Sequence, residues 1–334
     1  MQGKIDIEEH FSYQKPDADI TRRLQHAESW AETARRLVDI HDLRLNDMDE
    51  NGIEYAVLSI DSPSVQAILD VKDAIESARK YNDFLAEQVA KRPDRFGGFA
   101  ALPMQDPDAA AEELTRCVKE LGFPGALVNG FTQKEVSDSV IYYDLPEYRP
   151  FWACVQELDV PFCLHPRTAI RERAQAYEGH PWLFSSPWGF AVETSIHVLR
   201  LIGSCLFDEY PRLKIVIGHL GERIPFDMWR IDHRIKTIPS GYPAKKPMSA
   251  YMRSNFHLTT SGNFSDPALQ CAIAEMGVDR ILFAVDYPME VMVDGVSWFD
   301  NTPVLSDEDR IKIGRTNSID LFKLGGAVAP RTGS

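Results

Sequence analysis

The stretch from Lys4 to Ser12, KIDIEEHFS, joins a short apolar run to two acids and a histidine. Its alternation of apolar and polar residues predicts a β-strand, because successive side chains of a strand point to opposite faces. We expect Ile5, Ile7 and Glu9 to face a layer of helices. The opposite, inward face would then carry Lys4, Asp6, Glu8 and His10. A carboxylate and an imidazole two residues apart at a strand end have the geometry of a metal-ligand pair.

Similar apolar runs recur along the whole chain, separated by stretches with helical periodicity. The candidate strands are residues 4–10, 54–60, 96–102, 125–131, 161–166, 214–220, 256–262 and 280–288. Helices are predicted between them, for example from the N-cap Asp106, with Pro107 in its first turn. Eight strands alternating with helices predict a single (β/α)8 TIM-barrel domain over residues 1–334. A doubly wound open sheet is the alternative, but no GxGxxG turn follows the first strand.

Two segments are longer than a bare barrel needs. Residues 11–40 follow the first predicted strand, and residues 167–187 follow the fifth. The carboxyl ends of barrel strands form the catalytic face. We therefore expect both insertions to be lid segments over that face.

Charge, apolar runs and cysteine spacing limit the possible partners and location of the protein. The formal net charge is -14, which argues against a nucleic-acid partner, since phosphate binding needs a basic surface. No signal peptide precedes the first strand, and no apolar run reaches the roughly 18 residues of a membrane span. The five cysteines are scattered and lack CxxC spacing, as expected of reduced thiols in a cytoplasmic protein.

Further ligand-type residues end other predicted strands. His165 ends the fifth in CLHP, His219 ends the sixth in VIGHLGE with Glu222 three residues later, and Asp286 ends the eighth in FAVDYP. A lone histidine after an apolar run is usually a hydrogen-bonded core residue. Because four predicted strands bring such residues to one barrel mouth, we instead expect a metal-binding site there. Nitrogen and oxygen donors without thiolates suit Zn²⁺ or Mn²⁺.

The chain resembles the amidohydrolase superfamily, and within it the metal-dependent nonoxidative hydroxybenzoate decarboxylases. The resemblance covers nearly the whole chain and is greatest to the γ-resorcylate (2,6-dihydroxybenzoate) branch. Many superfamily hydrolases begin with HxH, whereas the decarboxylase branch has Glu at the first position, as Glu8 does here, and His10 favours the γ-resorcylate side. The motifs on which the resemblance rests include GKIDIEEHF, KRPDRFGGFAALPMQDPDAAAEEL, LDVPFCLHPR, MWRIDHR, HLTTSGNF and DRILFAVDYP.

The resemblance implies a role for each site residue. Glu8, His10, His165 and Asp286 would bind one divalent metal ion, Zn²⁺ or Mn²⁺, without an organic cofactor. His219, oriented by Glu222, would lie beside the ion and act with Asp286 in catalysis. Three residues match positions at which the family binds its substrate: Arg230, Asn129 and Phe299. The family's active unit is a homodimer or homotetramer. Asp6 and Asp61 depart from the family pattern and bear on substrate choice.

The implied reaction is decarboxylation of an ortho-hydroxybenzoate, best 2,6-dihydroxybenzoate to resorcinol and CO2, reversible at high bicarbonate. Asp286 would act as the general acid that protonates the ring carbon. The alternatives are a decarboxylase of salicylate or 2,3-dihydroxybenzoate, and a metal-dependent hydrolase of a small ester, lactone or amide. A scaffold role without enzyme activity would require a site empty of metal.

Overall fold

The computed structural model describes residues 1–14, 27–238 and 241–328, and every predicted barrel strand is present in it. The short apolar runs form parallel strands because helices cover their outer side. The barrel strands are β1 (Lys4–Phe11), β2 (Ile53–Ile60), β3 (Phe96–Gly98), β4 (Ala126–Asn129), β7 (Phe162–His165), β8 (Ile215–Ile217), β9 (Phe256–Thr259) and β10 (Ile281–Leu282). An antiparallel hairpin of β5 (Thr132–Lys134) and β6 (Val136–Ile141), which the sequence did not predict, follows β4.

These strands close into a ring. Main-chain ladders join β1, β2 and β3 into one sheet, and β10, β9, β8, β7 and β4 into another. Isolated parallel bridges between Ala100 and Ala126, and between Glu9 and Tyr287, join the two sheets at both seams. The closed ring confirms the predicted barrel and excludes the open doubly wound sheet.

Helices separate the strands along the chain and pack outside the ring. Asp106 accepts hydrogen bonds from the N–H groups of Asp108 and Ala109, so the predicted N-cap is confirmed. The helices are α1 (Ala27–Val38), α2 (Leu43–Glu50), α3 (Val71–Lys91), α4 (Pro107–Lys119), α5 (Arg149–Leu158), α6 (Gly189–Gly203), α7 (Leu206–Glu209), α8 (Ile224–Thr237), α9 (Met248–Asn255), α10 (Asp266–Met276), α11 (Met292–Asn301), α12 (Asp307–Ile311) and α13 (Asn317–Phe322), with a π-helical turn, Lys312–Thr316, between the last two.

The core has two layers, and they overturn the predicted facing of β1. Ile5 and Ile7 belong to the small cluster inside the barrel, not to the large cluster between barrel and helices. Lys4, predicted to face inward, instead reaches Asp300 of α11, 3.1 Å away. Residues of the C-terminal segment complete the inner cluster: Leu321, Phe322, Leu324 and Val328.

A β-bulge in β1 explains the error. In the register with β2, Asp6 pairs with Ala56 and Glu9 with Leu58, so one extra residue lies between them on β1. Such an extra residue resets the alternation of side chains. Ile7 and Glu8 consequently both point inward and line the same small cavity of the barrel. Asp6 shares the outward side with Ala56, and this corrects its predicted inward position.

Both predicted insertions follow strands whose carboxyl ends point to the same mouth. Of residues 11–40, positions 15–26 lie outside the described residues, and α1 occupies most of the remainder. The second insertion consists of three short 3-10 turns, Arg171–Arg173, Gln175–Tyr177 and Pro181–Leu183. Among the described helices, none combines the length and the apolar character that a membrane crossing requires.

Candidate metal centre

Four side chains from three barrel strands converge at the mouth. Glu8 and His10 come from the end of β1, His165 is the last residue of β7, and Asp286 follows β10. One donor atom from each lies within 4.8 Å of the others. Nε2 of His10 is 3.0 Å from Oδ1 of Asp286, and Nε2 of His165 is 3.8 Å from Oε1 of Glu8. The structure thus brings together the four predicted metal-binding residues.

Several donor atoms in this cluster make no well-directed hydrogen bond, and their arrangement suits a cation. Glu8 Oε1, His10 Nε2 and Asp286 Oδ1 are buried and lack a directed hydrogen bond from the described residues. Buried polar atoms are ordinarily paired, so unpaired ones require an explanation. Two carboxylates and two imidazoles offer the oxygen and nitrogen donors that divalent ions such as Mn²⁺ and Zn²⁺ accept. These residues therefore fit a divalent metal ion.

Hydroxyl groups contact the donor atoms of Glu8 and His10 that point away from the other ligands. Oε2 of Glu8 accepts hydrogen bonds from Thr259 Oγ1 at 2.7 Å and from Ser261 Oγ at 2.8 Å. Nδ1 of His10 lies 3.1 Å from Ser59 Oγ. Hydrogen bonds of this kind orient metal ligands and leave their other donor atom free. These three hydroxyl residues were not predicted from the sequence, although Thr259 and Ser261 lie in TTSG, directly after an apolar run.

His219 and Glu222 lie beside the four ligands. Nδ1 of His219 is 2.6 Å from Oε1 of Glu222, and its Nε2 is 3.6 Å from Oδ2 of Asp286. His219 therefore bridges the predicted orienting carboxylate and the predicted general acid. Gly262 permits this approach, since a Cβ at that position would lie 2.9 Å from Cδ2 of His219.

The charges of the cluster are strongly coupled. Burial alone would raise the pKa of Asp286, but contacts with His10 and His219 hold that pKa well below its usual value. Burial alone would lower the pKa of His219, yet the negative charges of Glu222 and Asp286 raise it well above normal. Burial lowers the pKa of His165 well below its usual value, which keeps that imidazole neutral. The directions of these pKa shifts favour a protonated His219 beside an ionised Asp286.

Glu9 faces away from the ligands, as expected from its place on the strand. Its carboxylate pairs with Arg44 of α2, and both side chains are completely buried. Arg44 also donates to the carbonyl oxygen of His10 and lies 4.6 Å from the centre of the Tyr287 ring. The pair therefore ties α2 to the ends of both strands that carry carboxylate ligands.

The three predicted substrate-binding residues lie in different places. Asn129 ends β4 beside His165, and its buried Oδ1 has no hydrogen bond within the described residues. Arg230 is exposed on α8. Phe299 is completely buried on α11, where its ring packs 4.7 Å from Phe283 in the core outside the barrel. The structure thus brings Asn129 to the mouth, whereas Phe299 serves the core.

Comparisons with known proteins agree with the fold. The amidohydrolase family profile matches residues 5–324. A γ-resorcylate decarboxylase from Rhizobium sp. (strain MTP-10005) is 54% identical over 329 residues, which cover 98% of this chain and 100% of that relative.

Two solved structures resemble this chain to a similar degree. A 2,6-dihydroxybenzoate decarboxylase in complex with 2,6-dihydroxybenzoate superposes with a TM-score of 0.93 at 53% identity, covering 97% of this chain and 99% of that one. The dihydroxybenzoic acid decarboxylase of Polaromonas sp. JS666, with bound manganese and the inhibitor 2-nitroresorcinol, has a TM-score of 0.93 at 54% identity and covers 97% of this chain and 98% of that one. The resemblance inferred from the sequence motifs is confirmed.

Proposed function

The chain belongs to the amidohydrolase family, and on that basis we propose that it catalyses the nonoxidative decarboxylation of 2,6-dihydroxybenzoate to resorcinol and CO2. It is thus a carbon–carbon lyase whose reaction runs in reverse at high bicarbonate. The observation that carries the proposal is the convergence of Glu8, His10, His165 and Asp286 within 4.8 Å, in a chain 54% identical to a γ-resorcylate decarboxylase over nearly its full length.

Those four residues would hold one divalent ion per subunit, with no organic cofactor. Manganese in the Polaromonas relative supports Mn²⁺ as the ion here, and the same donors accept Zn²⁺. When bound, the ion supplies positive charge that orients and stabilises an aromatic carboxylate with its ortho hydroxyl group.

The proton for the reaction would come through Asp286. Breaking the carbon–carbon bond first would expel an aryl anion, so the ring carbon that bears the carboxylate must be protonated beforehand. Nε2 of His219 lies 3.6 Å from Oδ2 of Asp286, so a proton on this imidazole would be next to the proposed general acid. We assign to Asp286 the delivery of this proton to the ring carbon, after which loss of CO2 restores aromaticity. Glu222 would stabilise the protonated imidazole and fix its orientation.

Asn129 and Arg230 would contact the substrate from different subunits. The unpaired Oδ1 of Asn129 at the mouth suits a phenolic hydroxyl group. Arg230 shares one face of α8 with Phe226 and Trp229, whose exposed fractions are 83% and 72%. Large exposed aromatic residues are typical of a covered surface in an assembly. We therefore propose a homo-oligomer, a dimer or tetramer, in which Arg230 reaches the site of a neighbouring subunit.

Two further features belong to this proposal. We propose that the chain forms one barrel domain, in which the described parts of the two predicted insertions, residues 11–14, 27–40 and 167–187, act as lids over the mouth. We place the protein in the cytoplasm, a location supported by its five free thiols.

A substrate panel tests the function. The Mn²⁺-loaded protein would be assayed with 2,6-dihydroxybenzoate, salicylate and 2,3-dihydroxybenzoate for CO2 release, and with a phenyl ester for acid release. We expect the highest kcat/KM with 2,6-dihydroxybenzoate and no acid release. A higher value with either other benzoate would contradict the substrate assignment. Acid release without CO2 would contradict the reaction class and indicate a hydrolase.

A further inference from the structure

The seam between β1 and the end of β10 carries both carboxylate ligands. Two main-chain hydrogen bonds cross it at the mouth, from Asp286 N to Glu8 O at 3.0 Å and from His10 N to Tyr287 O at 2.7 Å. One residue below, the N–H of Val285 donates to the carboxylate of Asp6, at 3.1 Å from Oδ2 and 3.3 Å from Oδ1. A side chain, and not a main-chain carbonyl group, therefore accepts from Val285 across the seam.

The same carboxylate supports the bulge of β1. The extra residue of a bulge leaves main-chain groups without a partner in the neighbouring strand. Here the N–H of Glu8 donates to Oδ1 of Asp6 at 3.2 Å. Asp6 is completely buried, so water cannot readily replace its carboxylate at either N–H group.

We propose that Asp6 is a positioning residue for the metal centre, because its carboxylate fixes the separation of Glu8 and Asp286. One of its two donors is the main chain of Glu8 itself, and the other is the residue before Asp286. Without Asp6, the bulge and the β10 segment lose their shared anchor, and the two carboxylate ligands can move apart. The inference rests on the proposed function only in requiring that the centre binds a divalent ion.

Metal affinity is the measurement that tests it. Metal-stripped wild type, Asp6→Ala and Asp6→Asn would be titrated with Mn²⁺ by calorimetry. We expect Asp6→Ala to bind about tenfold or more weakly, the loss typical when a group that orients a metal ligand is removed. Asn keeps Oδ1, the atom within reach of both N–H groups, so Asp6→Asn should stay within about threefold of wild type.

A matched control separates this effect from general loss of stability. Glu113 is a buried carboxylate of α4 that pairs with Asn82 and Arg116 in the helix layer. Glu113→Ala should lower the thermal unfolding midpoint without weakening Mn²⁺ binding. If Asp6→Ala fails to fold, Asp6→Ser replaces it. The serine side chain is one bond shorter, so its hydroxyl oxygen cannot reach both N–H groups as Oδ1 of Asp6 does, and an intermediate loss of affinity is expected.

The outcomes distinguish this inference from the proposed function. Wild-type Mn²⁺ affinity in Asp6→Ala, or in Asp6→Ser where that variant is used, would overturn the role of Asp6. Failure of the wild type itself to bind Mn²⁺ would overturn the proposed metal centre, and the role of Asp6 with it. Because the readout is binding, the result does not depend on the identity of the substrate.

Discussion

Nδ1 of His219 lies 2.6 Å from Oε1 of Glu222, three residues further along a left-handed turn. All five residues of this turn have positive φ, from His219 at 54° through Leu220 at 56°, Gly221 at 88° and Glu222 at 50° to Arg223 at 71°. Only glycine adopts such angles without strain. The surrounding structure must therefore hold the turn, and the hydrogen bonds from Leu220 N to Thr259 O at 2.8 Å and from Ser195 Oγ to Glu222 O at 2.6 Å contribute to this.

Glu222→Gln should keep the hydrogen bond to His219 but remove the negative charge. We expect kcat to fall about tenfold to a hundredfold, because the protonated imidazole loses its stabilising partner. The negative charge of Glu222 raises the pKa of His219, so the alkaline limb of the pH–rate profile should move to lower pH. An unshifted limb would show that His219 does not supply the proton. Mn²⁺ affinity should stay unchanged, since Glu222 is not a proposed ligand.

Asp286→Asn should abolish turnover, because the amide cannot deliver a proton to the ring carbon. We expect a loss of about a thousandfold or more in kcat, within the range for general acid catalysis. The substrate should still bind, which calorimetry with the Mn²⁺-loaded variant would show after its metal content is verified. Activity near that of the wild type would contradict the assigned role.

The buried pair of Glu9 and Arg44 predicts an asymmetric response to mutation. Both side chains are 0% exposed, so Arg44→Met leaves a buried carboxylate without its partner. We expect a loss of about 3–5 kcal/mol in the free energy of unfolding. The double variant Glu9→Leu/Arg44→Met removes both charges and should recover much of that loss. Chemical denaturation would give the free energy of unfolding of the wild type and both variants. A loss below about 1 kcal/mol in Arg44→Met would contradict the prediction.

His197 predicts a pH dependence of stability remote from the metal centre. Burial lowers its pKa to about 3, and its Nε2 accepts a hydrogen bond from Tyr143 N at 3.1 Å. Below the usual pKa of about 6.5 the unfolded chain gains a proton that the folded chain does not bind. The contribution of His197 to stability is therefore complete at neutral pH and falls as pH decreases, by up to about 1.4 kcal/mol per pH unit.

Urea unfolding of wild type and His197→Gln at pH 7, 6 and 5 tests this dependence. Gln retains an acceptor for Tyr143 but does not titrate. The free energy of unfolding of the wild type, relative to that of the variant, should therefore fall as pH decreases. A difference that stays constant over this range would mean that His197 does not titrate on unfolding.

The sequence predicted the barrel because its short apolar runs alternate with stretches of helical periodicity. It also placed Glu8, His10, His165 and Asp286 together, since strand ends on one side of a barrel meet at one mouth. The facing of Ile5 and Ile7 was wrong because strict alternation assumes a regular strand. The bulge depends on the register with β2 and on Asp6, and neither is visible in a single run of residues.

Other details were missed for reasons of the same kind. The hairpin of β5 and β6 is short, and polar residues interrupt the partly exposed β6, so no long apolar run indicates it. Phe299 shows that an aromatic residue near a site in the sequence can serve the core instead. Ser59, Thr259 and Ser261 orient ligands through contacts between strands that are distant in the sequence.

The most direct test of the central claim compares metal-stripped and Mn²⁺-reloaded protein with 2,6-dihydroxybenzoate as substrate. The loss of substrate absorbance and the formation of resorcinol would be followed together, with bound metal measured in each sample. We predict no turnover in the stripped protein, and turnover that returns in proportion to Mn²⁺ up to one ion per subunit. Full activity in protein verified to be free of metal, or none in the loaded protein, would contradict a metal-dependent decarboxylase at this site.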